Sequence, residues 1–149
     1  MLDELKIFII HELIHILLGL ILFLSLSRII KKYRLLFWAF LVSIFLDIDH
    51  LFDYFIALGA KLDINAMVTG SYFNTNGHTY IPLHSWELGF VLIALGWIRR
   101  RKNVGKFLIA TGVGIFTHLL VDQTWYQPVW NVYFLISRFA HGFIPSYLW

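Results

Sequence analysis

The chain contains no cysteine. Disulfide bonds and thiolate metal ligands are therefore excluded, and any metal site must use nitrogen and oxygen donors. Charged residues are also scarce, at 14% of the 149 residues, against about 25% in an ordinary soluble domain. Apolar residues make up 59% of the chain, and the mean hydropathy is +0.72. A water-soluble fold of this length cannot bury so much apolar surface, so the sequence predicts an integral membrane protein.

Basic residues are few, and nine of the twelve lie in two short clusters at 28–34 and 99–106. Such clusters between apolar stretches are typical of cytoplasmic connections, and they are too small to form a nucleic-acid-binding surface. The positive-inside rule puts both clusters in the cytoplasm, and it puts both termini and the polar segment 59–80 on the other side. We expect no nucleic-acid partner.

Four apolar stretches are long enough, or nearly so, to cross a hydrocarbon core, which needs about 20 helical residues. They cover residues 7–27, 35–56, 81–98 and 104–123. The first carries acidic residues and histidines and has no small-residue cleavage site, so we expect it to remain in the mature protein. The sequence predicts one all-α domain over residues 1–149, a polytopic membrane bundle of about four transmembrane helices. The aromatic tail after residue 123 is predicted to form an interfacial or re-entrant helix.

Ionisable side chains interrupt these apolar stretches. Each costs on the order of 3 kcal/mol to insert into a bilayer, and such residues usually face the protein interior and mark function. Counting about 1.5 Å per residue brings them to similar depths near the non-cytoplasmic surface. Spacings of three or four residues put them in pairs on one face of each predicted helix. The residues are His11, Glu12, His15, Asp47, Asp49, His50, Asp53, His84, Glu87, His118 and Asp122.

This pattern predicts a metal site inside the membrane. The expected ligands are His11, His15, Asp49, His50, Asp53, His84, His118 and Asp122, with Asp47 as a ligand or as a residue that orients one. Glu12 and Glu87 are the candidates for general acid and base. Imidazole and carboxylate suit zinc, which is favoured, and also manganese or iron. The number of donors accommodates one or two ions, with metal-activated water as the nucleophile. His78 and His141 are expected to stay outside the site.

Three alternatives remain open. The carboxylates and histidines could act only as hydrogen-bonding partners that hold the helices together. The segment from His11 to His15 fits H-E-x-x-H, the zinc metalloprotease pattern, although the Asp-Gly beside Asn-Pro of intramembrane metalloproteases is absent. A non-enzymatic metal-ion carrier or sensor is the third alternative. It would need donors or a path that continues towards the cytoplasm, where the sequence is mostly Leu, Ile, Phe and Gly.

A second constellation consists of Asp47-Ile48-Asp49-His50, then His84-Ser85, then Thr117-His118 followed by Asp122. Together with the histidines of the first helix, it resembles the membrane-bound metal-dependent hydrolase families, which include a LexA-regulated inner-membrane group. Their D-x-D-H, H-S and H-x-x-x-D elements match over roughly residues 8 to 124. The chain departs from them at Leu46, where the families commonly have proline. The resemblance implies an inner-membrane hydrolase whose metal ligands are Asp47, Asp49, His50, His84, His118 and Asp122.

The expected function is thus that of a membrane-embedded metal-dependent hydrolase. A site a few ångströms below the headgroups is well placed to reach an ester, phosphoester or amide bond of a lipid or lipid-linked molecule. We expect the protein to be a multi-pass protein of the plasma (inner) membrane, with its site facing the non-cytoplasmic side.

Overall fold

The computed structural model describes residues 2–27, 32–75, 77–125 and 131–144. These residues form helices and connecting turns and contain no strand, which confirms the predicted all-α fold. Two short 3-10 helices lie at Leu46–Asp49 and Ser71–Asn74. The α-helices are α1 (Leu2–Ser27), α2 (Tyr33–Phe45), α3 (His50–Leu58), α4 (Ile64–Thr69), α5 (Trp86–Ile98), α6 (Asn103–Trp125) and α7 (Leu135–Ala140).

Three stretches of helix are long and apolar enough to cross a membrane: Leu5–Ser25, Tyr33–Leu58 and Asn103–Trp125. They correspond to the first, second and fourth predicted spans. The second stretch combines α2, the 3-10 turn and α3. Large apolar side chains cover the outside of the bundle, and Leu13 and Leu17 of α1 are each 56% exposed. An apolar outer surface of this kind is suited to lipid.

The third predicted span, 81–98, is the one that the structure changes. Its helix, α5, begins only at Trp86 and has 13 residues, about 20 Å of helix against a hydrocarbon core of about 30 Å. Pro82 disfavours helical geometry at the residue before it, and Ile81 adopts a φ of 31°. Ser85 then caps the new helix by accepting a hydrogen bond from the Leu88 amide. His84 therefore lies on a non-helical segment, and the prediction that it shares a helical face with Glu87 is wrong.

Helix α6 packs against α1, α2 and α5. Two glycines of α6 allow close approaches to neighbouring helices. A Cβ atom on Gly112 would lie 2.7 Å from the Gly89 carbonyl oxygen of α5, and one on Gly114 would lie 2.6 Å from the Ala39 carbonyl oxygen of α2. Small residues are the usual means by which membrane helices reach such short distances. The contact at Gly114 comes one turn before His118 and so sets the distance of that histidine from α2.

The C-terminal tail contributes one short helix to the described structure. Helix α7 has six residues, and the Glu87 carboxylate accepts hydrogen bonds from the amides of Leu135 and Ile136 at its start, at 2.9 and 3.0 Å. These bonds attach α7 to α5. The interfacial placement of the aromatic tail stays a prediction, and residues 126–130 and 145–149 lie outside the described ranges.

Candidate metal centre

Two histidines on α1 and one carboxylate on α6 form the first group of donors. His11 and His15 are one turn apart, and their Nε2 atoms are 3.1 Å from each other. The same oxygen, Asp122 Oδ1, lies 3.1 Å from each of these nitrogens. The three residues are 5%, 1% and 3% exposed. Three buried donor atoms thus form a nearly equilateral triangle.

The second group uses the other oxygen of the same carboxylate. Asp122 Oδ2 lies 3.2 Å from His118 Nε2 and 3.4 Å from His84 Nε2. The two histidine nitrogens are 3.1 Å apart. Asp47 Oδ1 completes the group, at 3.1 Å from His84 Nε2 and 3.4 Å from His118 Nε2. Asp122 therefore faces a pair of histidines with each of its oxygens.

These spacings match those of a metal coordination shell. Bonds of about 2.0–2.2 Å put neighbouring ligands of a tetrahedral zinc roughly 3.3–3.6 Å apart, and octahedral geometry at about 2.1 Å puts them roughly 3.0 Å apart. The observed spacings run from 3.1 to 3.4 Å. Both groups are within reach of a first-row divalent ion.

A hydrogen-bond network alone accounts less well for the second group. His118 Nδ1 lies 2.9 Å from the Ser43 carbonyl oxygen, which can only accept, so Nδ1 carries a proton. Its Nε2 then faces another imidazole nitrogen and two carboxylate oxygens, and a single proton there can point to only one of them. In addition, Asp47 Oδ2 is buried and has no hydrogen-bond partner among the described residues. A cation between these atoms would interact with all of them.

Two predicted ligands lie next to the second group. Asp49 Oδ1 is 3.0 Å from His84 Nδ1, on the far side of that ring, and its Oδ2 accepts a hydrogen bond from the Leu83 amide at 2.7 Å. Asp49 thus lies at ion-pair distance from the outer nitrogen of a histidine, which is where outer carboxylates lie in many metal sites. His50 Nε2 lies 3.4 Å from Asp47 Oδ1, at the edge of the group, and its Nδ1 is 3.2 Å from the Tyr72 hydroxyl.

Two other predicted site residues, Asp53 and Glu87, are not brought into either group. Asp53 uses both carboxylate oxygens to accept hydrogen bonds from the amides of Tyr80 and Ile81, at 2.8 and 2.7 Å. Glu87 binds Ser85 Oγ and the start of α7. Residue spacing does not indicate these roles, because the amides that Asp53 and Glu87 bind lie in the non-helical segment before α5 and at the start of α7.

A cavity of about 520 Å³ opens beside both groups. One wall carries donor residues, and Glu12 stands at its edge with Oε1 3.7 Å from His11 Nδ1. The Glu12 side chain is 26% exposed, so it is accessible from the cavity. The remaining walls are largely apolar and come from α1, α3, α4 and the segment that follows α4; they include Phe8, Leu51, Met67, Val68, Phe73 and Ile81.

Arg138 is a buried residue that the sequence marks only as a break in the apolar tail. It is 0% exposed, and its guanidinium donates to the carbonyl oxygens of Tyr80, Ile81 and His84. Burial lowers the pKa of Arg138, and the carboxylates of Asp49, Glu87 and Asp53 oppose that shift. A guanidinium remains charged at neutral pH in this setting. Its signal in the sequence is a lone arginine in an apolar run.

The fold and these donor groups define a helical membrane protein with a candidate metal centre. Comparisons with protein-family models, with curated proteins and with solved structures find no match for the chain. The resemblance to membrane-bound metal-dependent hydrolases therefore rests on the short motifs described above.

Proposed function

We propose that this protein is a membrane-embedded metal-dependent hydrolase with a two-ion centre. The observation that carries the proposal is the position of Asp122, whose two oxygens each face a separate pair of buried histidines. One ion would bind His11, His15 and Asp122, and the other Asp47, His84, His118 and Asp122. Zinc suits both sets of donors, with manganese or iron as alternatives.

A divalent ion bound there would supply the chemistry of metallohydrolases, which is to lower the pKa of water and to polarise a carbonyl or phosphoryl oxygen. The protein residues have complementary tasks. Asp49 orients the His84 ring, and the Ser43 carbonyl fixes the proton of His118 on Nδ1. Glu12 is the acid or base, because its carboxylate borders both the cavity and His11.

The apolar cavity supports a lipid or lipid-linked substrate. Its lining beyond the donors is mostly aliphatic and aromatic, and no lysine or arginine is among the described residues that line it. The ester, phosphoester or amide bond would therefore lie against the metal wall, while an apolar chain occupies the rest of the cavity. Because the donors lie far from the basic clusters along α2 and α6, we propose that the site faces the non-cytoplasmic leaflet of the plasma membrane, with α5 as a short fourth crossing.

Substitution of Glu12 tests the chemistry. Glu12→Gln should reduce chelator-sensitive hydrolysis of acyl-ester and phosphoester lipids in mixed micelles by roughly 10²–10⁴-fold, while bound metal stays at the wild-type level. Asp3→Asn, an exposed carboxylate on the same helix, is the matched control and should leave turnover unchanged. Wild-type rates in Glu12→Gln would remove Glu12 from the mechanism, and absence of lipid turnover in the wild type would count against the substrate class.

An intramembrane metalloprotease is the second candidate. In its favour, the H-E-x-x-H histidines converge with Asp122 as a third donor and Glu12 adjoins the cavity. It leaves the second histidine pair without a role, however. Cleavage of a transmembrane peptide, with no hydrolysis of any lipid in the panel, would favour this candidate.

Cysteine labelling tests the sidedness. Single cysteines at Lys32 and Arg101 should react with a membrane-impermeant maleimide only from the cytoplasmic side, and one at Thr75 only from the outside, because of the asymmetry of basic residues between the connections. All three positions are exposed in the structure. Labelling of Thr75 from the cytoplasm would invert the orientation and move the site to the inner leaflet.

A further inference from the structure

The segment from Thr79 to Ser85 is non-helical, and four of its seven residues are buried. Thr79, Ile81, His84 and Ser85 are each at most 2% exposed. Buried backbone outside a helix leaves amide and carbonyl groups that need partners, and within a membrane such backbone is tolerated only when the protein supplies them. The Ile81 φ of 31° is also unfavourable for a β-branched residue. The segment therefore depends on contacts from the rest of the protein for its shape.

Charged side chains supply these contacts, and the positive and negative groups bind different backbone atoms. Arg138 donates to the carbonyl oxygens of Tyr80, Ile81 and His84. Asp53 accepts from the amides of Tyr80 and Ile81. The positive group thus binds the carbonyl oxygens, and the negative group binds the amides, of the same two residues, Tyr80 and Ile81. Both side chains are almost fully buried, at 0% and 1% exposure.

We infer that Arg138 and Asp53 are positioning residues of the metal centre, acting as a clamp that holds the backbone of residues 80–84 and thereby His84. The inference rests on the proposed function. The hydrogen bond to the His84 carbonyl connects Arg138 directly to a proposed ligand. A planar guanidinium can donate to several carbonyl oxygens at once, which an ammonium group does with less directional control.

The clamp acts on one ion only. His84 belongs to the second donor group, whereas His11 and His15 are held by the regular helix α1 and pair with Asp122 of α6. Loss of the clamp should therefore weaken the second ion and spare the first. A residue that only stabilised the fold would not produce this difference.

Cobalt titration of the full-length protein in detergent tests the inference. Ions per chain are counted by elemental analysis, and the visible absorption of cobalt reports the surroundings of each ion. Arg138→Lys and Asp53→Asn should keep one ion at wild-type affinity, bind the second at least about ten-fold more weakly, and lose part of the cobalt spectrum. Arg100→Lys and Asp63→Asn are matched controls, since each native side chain bonds backbone groups elsewhere in the protein. Both controls should bind as the wild type does.

Two results would overturn the clamp alone: wild-type affinity for both ions in the variants, or equal weakening of both ions with a native circular dichroism spectrum. If Arg138→Lys does not fold, the nearly isosteric Asp53→Asn decides between the same outcomes. A wild-type chain that binds no cobalt, zinc or manganese would instead overturn the proposed metal centre, and the clamp with it. The failure of the clamp and the failure of the proposed function are therefore distinguishable.

Discussion

The two histidine pairs of the candidate centre are held in different ways. His11 and His15 lie one turn apart on a regular membrane helix, and their geometry follows from helical spacing alone. His84 and His118 come from a non-helical segment and from α6, and their contacts include Asp49, Arg138 and the Ser43 carbonyl. One half of the site is thus built by local structure and the other by tertiary contacts. The second half should be the more sensitive to changes outside the donor set.

The largest effect on metal affinity is expected at Asp122, the carboxylate that both donor groups share. Asp122→Asn replaces one oxygen of the shared carboxylate by an amide nitrogen and removes its charge, so both ions should bind at least about 100-fold more weakly, more than the 10–100-fold typical of an outer partner. Calorimetric titration with zinc measures both affinities. Loss of only one ion would show that Asp122 does not join the two halves.

The next largest effect distinguishes the two donor groups by the number of ions that each variant retains. His15→Ala should remove the ion of the first group, and His118→Ala the ion of the second, so each variant should retain about one ion per chain. Elemental analysis of the two variants gives the count, and the double variant should retain none. Loss of all metal in both single variants would indicate a single site that needs every donor.

A smaller effect is expected from packing. Gly114→Ala introduces a Cβ atom 2.6 Å from the Ala39 carbonyl oxygen, which forces α2 and α6 apart and should lower the free energy of unfolding by about 1–3 kcal/mol. The same movement separates His118 from Ser43, so the second ion should weaken more than the first. Leu120→Ala, at an exposed position on α6, is the control for unfolding and for metal binding. Equal stability of Gly114→Ala and the wild type would mean that α2 can move away from α6 without a loss in the free energy of unfolding.

The difference between the two histidine pairs also explains how much of the structure the sequence could predict. Hydropathy and residue spacing predicted the all-α fold, about four spans of which three are confirmed, and the convergence of His11, His15, His118 and Asp122, because regular helices carry their side chains at fixed intervals. The segment before α5 could not be predicted in this way. Pro82 interrupts a pattern that otherwise favours helix, and the hydrogen bonds that stabilise the result come from residues far away along the chain.

Arg138 illustrates the same limit. It lies 54 residues from His84 along the chain, and only the folded structure brings its guanidinium to that carbonyl oxygen. Asp53 was predicted as a ligand because its spacing from Asp49 puts both on one helical face. The two carboxylates do face the same part of the protein, since both accept hydrogen bonds from the segment that carries His84. Spacing could identify the face, but not whether a carboxylate there binds an ion or a backbone amide.

Anomalous X-ray diffraction from crystals of the zinc-loaded protein tests the central claim most directly. The account predicts two peaks in the anomalous difference map collected above the zinc absorption edge, both lost below it, one among His11, His15 and Asp122 and the other among Asp47, His84, His118 and Asp122. Asp122 should lie between them, with one oxygen towards each. A single peak in one group, or no peak in either, would contradict the two-ion centre.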